Sequence, residues 1–212
     1  MSSLALSDAV LALASAFAVF LMSQQKSFAV VHRTASKGAL LGFLLMAGAG
    51  VTGTLNFGFS EAWFEVYRFL NNAATFMAPP LIGTAMILVL TGNQWSKPAW
   101  GRLVIAICLA FEVCRWYGLG DLYRDLQIAG FLAIIMLLLL KAQIEPGPKA
   151  MVIAAFVSYF VGALVIGNEG TLAGYLRLNL FRYLIALGNL LLGSGLFMLL
   201  KSQNKYTEQT SA

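Results

Sequence analysis

Phe131-Leu132-Ala133-Ile134-Ile135-Met136-Leu137-Leu138-Leu139-Leu140 is an unbroken apolar run with no polar residue to mark an outward face. A membrane barrel strand alternates apolar and polar side chains; this run does not, so it reads as a helix with apolar surroundings on every side. The rest of the chain shares that character, with 59% of its 212 residues hydrophobic and only 11% charged. A soluble fold of that size cannot hide so much apolar surface. Lipid is then the solvent, and each backbone N–H and C=O in it must be bonded within its own segment.

A span needs about 20 mostly apolar residues at 1.5 Å of rise each. Such windows fall at 4–22, 38–57, 67–90, 102–117, 122–140, 150–166 and 180–200, which predicts an all-α bundle of about seven transmembrane helices. Residues 1–201 read as a single membrane domain, and the polar segment 202–212 as a disordered cytoplasmic tail. The first window lacks the charge layout of a secretory signal, because no Lys or Arg precedes it, Asp8 lies within it and basic residues follow it.

Every lysine, together with Arg33 and Arg102, falls in the first, third and fifth connections or in the tail. Basic residues stay on the cytoplasmic side, so the N-terminus is expected outside. The opposite ends mix Arg68, Arg115, Arg124, Arg177 and Arg182 with a slight excess of acids. The net charge of +5 therefore reports topology and attraction to membrane lipids, not nucleic acid. No Asn-x-Ser/Thr site occurs, which fits a bacterial inner membrane. Cys108 and Cys114 lie about 600° of helical turn apart and cannot bridge each other.

Tyr67-Arg68-Phe69-Leu70, Tyr123-Arg124-Asp125-Leu126 and Phe181-Arg182-Tyr183-Leu184 open the third, fifth and seventh windows alike. That spacing is about one helical hairpin, so the chain reads as one leading helix plus three related hairpins, or as convergence on residues that suit the interface. Gly48-Ala49-Gly50-Val51-Thr52-Gly53 matches the dinucleotide fingerprint, but inside a membrane helix its amides are already bonded. Close helix packing through small residues is the expectation there. Pro79-Pro80 in the third window should bend that helix and free carbonyls, either beside a cavity or in a simple packing bend.

Charges within the apolar windows carry the functional argument, since an unpaired one near the midplane costs several kcal/mol at least. Glu112 and Arg115 share a face and should neutralise each other, with Glu65 and Arg68 repeating that spacing. In one reading such pairs only tie helix ends together. In the other, arginines and acids surround a polar cavity open to the outside, with Glu112 and Arg115 as its floor. Candidate ligand-binding residues are Asp8, Asn56, Glu65, Arg68, Asn72, Glu112, Arg115, Arg124, Asp125, Arg182 and Asn189. The aromatic rim, including Tyr67 and Tyr123, fits an interfacial belt.

His32, in the first connection and away from the acids, reads as a solvated or lipid-facing residue, so neither a metal site nor a cofactor is expected. The outline resembles microbial rhodopsins, alkaline ceramidases and G-protein-coupled receptors in topology alone. The seventh window lacks the internal lysine of the first, the spans lack the histidines of the second, and no Asp-Arg-Tyr ends the third window. Three functions stay open: binding or transport of a small anionic or zwitterionic ligand, a scaffold subunit with a membrane-protein partner or in a homo-oligomer, and an enzyme acting on lipid headgroups.

Overall fold

The computed structural model describes residues 2–142, 144–167, 170–172 and 174–210. Helix α1 spans Ser3–Ser23, α2 Arg33–Gly58, α3 Phe64–Thr91, α4 Lys97–Trp116, α5 Gly120–Lys141, α6 Pro146–Phe160 and α7 Arg177–Thr210. Helix α6 continues into a π-helical turn at Val161–Ile166. Beyond it, β1 (Thr171–Leu172) and β2 (Tyr175–Leu176) pair antiparallel. The hydroxyl of Ser2 caps α1 by accepting from the Ala5 amide and ties it to α2 by donating to the Phe57 carbonyl. Gly92 and Gly118, both at φ +69°, follow α3 and α4, where a left-handed residue stops a helix without steric cost.

Six of these helices, all but α4, are long and apolar enough to cross a membrane. Helix α4 falls short because its 20 residues include Lys97, Arg102, Glu112 and Arg115. Helix α7 carries its helical backbone through 202–210, where composition alone suggests disorder; 211 and 212 lie outside the described residues. The connections α1–α2, α3–α4 and α5–α6 lie at the lysine-rich end of the bundle, and α2–α3, α4–α5 and α6–α7 at the acidic end.

Packing is uneven. Helix α1 lies closely against α2 and α7, α2 against α3, and α6 against α7; α5 leans on α3, and α4 touches α3 and α5 only lightly. Small residues permit the close pairs. A Cβ on Gly50 would come within 2.7 Å of the Ala12 amide nitrogen and 2.8 Å of the Asp8 carbonyl oxygen, both backbone of α1. The glycine motif of α2 thus serves helix approach, as its place in a membrane helix implies. Phe43, Met86, Leu139, Leu192 and Leu196 fill the core toward the lysine-rich end.

Pro79 and Pro80 lie inside α3, which continues unbroken past them. Lacking N–H groups, they leave the carbonyls of Thr75 and Phe76 without a helical donor four residues on. Thr75, Phe76 and Pro79 all line the cavity described next, so the freed backbone borders a cavity.

Candidate ligand-binding cavity

A cavity of about 530 Å³ lies between α1, α2, α3, α5, α6 and α7, with no contribution from α4. Its charged lining and most of its polar lining gather at the acidic end, with Asp8 from α1, Tyr67, Asn71, Asn72 and Thr75 from α3, Arg124 and Asp125 from α5, and Arg182 from α7, while Tyr159 of α6 adds a hydroxyl-bearing ring. Toward the lysine-rich end the walls turn apolar, with Met86, Phe131, Ile135, Phe156 and Leu192.

Asp8 and Arg182 are its electrostatic centre. Their side chains are 3% and 7% exposed, and Arg182 Nη1 stands 3.0 Å from Asp8 Oδ2. That approach lacks hydrogen-bond geometry, which leaves both buried atoms without such a bond. The other terminal nitrogen, Nη2, donates to the Tyr67 hydroxyl at 2.9 Å. The guanidinium also lies 5.4 Å from the centre of the Phe57 ring, and Phe57 meets Tyr67 edge-on. Gly53 of α2 makes room for this cluster, since a Cβ there would strike the Asp8 carboxylate and approach the Tyr67 ring to 3.1 Å.

Behind the wall, Asn189 is wholly buried. It accepts from the Tyr159 hydroxyl at 2.7 Å and donates to Ser15 Oγ at 2.8 Å, joining α6, α7 and α1. Nearer the acidic end, Ser7 donates to Asn179 Oδ1 at 3.0 Å. These bonds satisfy polar side chains inside apolar helices and lock the azimuths of α1 and α7, which aims Asp8 and Arg182 at each other.

Of the residues expected at a site, Asp8, Asn72, Arg124, Asp125 and Arg182 line the cavity and Asn189 supports it through Tyr159. Arg124 Nε donates to Asp125 Oδ1 at 2.9 Å. Asn56 is half-buried outside the lining, with its side-chain oxygen unbonded. Glu65 and Arg68 pair with each other at 2.7 Å on the exposed face of α3.

Glu112 and Arg115 depart furthest from expectation. They pair in two contacts, Nε to Oε2 being 3.0 Å, but their side chains stay 51% and 61% exposed, so they form no floor to the cavity. Helix α4 docks through Phe111, whose ring centre lies 4.3 Å from that of Phe76. Glu112 is turned about 100° from Phe111 around the helix and so points away from α3. The arginines of the three hairpins likewise differ in surroundings: Arg68 faces outward, Arg124 borders the cavity and Arg182 is buried within it.

Tyr159, Ser15 and Asn71 were not legible in the sequence as site residues because no spacing along the chain ties any of them to the site, although Asn71 adjoins Asn72 and Tyr159 adjoins Ser158. Tyr67 was legible only as an interfacial aromatic. His32 is a correction: it is 6% exposed, buried rather than solvated or lipid-facing, as its short 3₁₀ turn follows the packed Phe28 into α2. Among the described residues no group of three His, Cys, Asp or Glu side chains converges. No protein-family model, curated protein or solved structure matches the chain.

Proposed function

We propose that this chain is a seven-span membrane protein, with its N-terminus outside, that binds or transports a small zwitterionic ligand in a cavity open to the outer face. The observation that carries the reading is the buried Asp8–Arg182 pair set in the cavity wall. Burying two charges is costly even when they pair, and a well-packed apolar contact would serve stability as well or better. A pair kept in a cavity wall, with Oδ2 and Nη1 both short of a hydrogen bond, suits a ligand bearing both signs of charge.

Charge balance favours a zwitterion over an anion. Both cavity arginines stand beside carboxylates, Arg182 with Asp8 and Arg124 with Asp125, while Arg68 and Arg115 are engaged elsewhere. The volume falls in the roughly 300–1,000 Å³ range of small-molecule sites. Self-paired charges on α3 and α4 are what a scaffold subunit would also have, but a scaffold needs no cavity of this kind.

The test is native mass spectrometry of the purified protein beside Arg182→Gln and Asp8→Asn. A retained zwitterionic molecule that is lost from both folded variants supports the reading. Retention indifferent to these substitutions, or no retained molecule together with no thermal shift from added zwitterions, overturns it.

A further inference from the structure

We propose that the ligand is an amphiphile with a zwitterionic head and one hydrocarbon chain, admitted from the bilayer through the seam between α5 and α6. This rests on the cavity being a ligand site and specifies what occupies it. The first argument is segregation. Every charged residue of the lining sits at the acidic end, whereas the walls beyond Phe76 and Pro79 are almost wholly apolar. Arg182 and Leu192, both in the lining, are about 15 Å apart along α7 at 1.5 Å per residue. A small water-soluble zwitterion would occupy the polar end and leave that apolar length to water or void, both unfavourable. A hydrocarbon chain fills it.

The second argument is access. Helices α5 and α6 both line the cavity but scarcely touch each other. Ala163 on the α6 side and Asp125 on the α5 side are exposed at the surface while also lining the cavity, so it reaches the surface between these two helices. Toward the lysine-rich end Ile135 and Leu139 of α5 are buried at 2% and 0% exposure, so that end of α5 is packed into the core. Its flanks, Leu126 on α5 and Leu164 on α6, are exposed and apolar, as a surface against acyl chains should be. A headgroup can thus travel along the acidic rim while its chain slides sideways between the helices, without crossing the tightly packed α1–α2 or α6–α7 contacts.

The experiment uses the whole protein in phosphatidylcholine vesicles with a lysophosphatidylcholine photoprobe carrying a diazirine near the end of its chain. Labelled positions are mapped by peptide mass spectrometry. Labelling concentrated on Met86, Phe131, Ile135 and Phe156 is the expected result. It should fall severalfold in Ala163→Trp and in Ile128→Trp, each plugging the seam from a different helix, and persist in Leu109→Trp on the outer face of α4. Thermal midpoints of all three variants confirm that they are folded. Labelling no denser in the cavity than at Leu13 or Leu109, or undiminished by both plugs, overturns the proposal. Free phosphocholine separates the two levels: if it stabilises the wild-type protein but not Arg182→Gln while the photoprobe misses the cavity, the amphiphile fails and the ligand site stands. If neither engages, both fail.

Discussion

At the scale of single residues, burial separates one long-range ion pair from two that the sequence shows as i,i+3 neighbours. Asp8 and Arg182 are almost completely enclosed, while Glu65–Arg68 and Glu112–Arg115 sit on exposed faces. Removing one partner of an enclosed pair strands a charge in a low-dielectric interior, which costs about 3–5 kcal/mol. Arg182→Met should therefore lower the unfolding free energy by about that much, measured by denaturation in mixed micelles. The double variant Asp8→Asn/Arg182→Met should recover most of the loss, because no charge remains unpaired. A single variant as stable as wild type would show the pair to be hydrated. Glu112→Gln, by contrast, should leave both the unfolding midpoint and ligand retention where they were.

Elements differ mainly in how closely they can approach. Helices α1 and α2 meet across Gly50, where a side chain would collide with backbone that has no rotamer to yield. Gly50→Leu should destabilise the protein by about 1–3 kcal/mol or force α1 outward, read as a lowered thermal midpoint. Gly101 of α4 has nothing within 4 Å of a built Cβ, so Gly101→Leu is the matched control and should be tolerated. Equal effects of the two would mean that α1 and α2 are not in contact across Gly50. Helix α4 was legible as a window yet not in its role: its charges suggested depth, whereas it docks through Phe111 and presents Glu112 and Arg115 away from the cavity.

For the whole molecule, the proposed orientation can be read by tag accessibility in sealed cells. A tag before Ser2 and one inserted after Gly118 should both react with an impermeant reagent from outside, and one after Gly92 should not. Equal reactivity after Gly92 and Gly118 would remove α4 as a span. The sequence by itself determined that most of the chain is apolar enough to cross a membrane, that the elements are helices and roughly where each begins, and which ends of them carry lysine. All of these follow from composition and from neighbours along one segment. Asp8 and Arg182 were recognisable as unusual for the same reason, being charged residues among apolar ones. Only the tertiary structure decided that they face each other while Glu112 turns away, and that Tyr159, Asn189 and Ser15 join three helices. The physical reason lies in the solvent. In water an apolar stripe marks the buried face of a helix, but in lipid both faces are apolar and the sequence carries little signal of azimuth. Azimuth is set instead by glycine contacts such as Gly50 against α1 and by polar bonds between distant segments, and neither exists until the helices have packed.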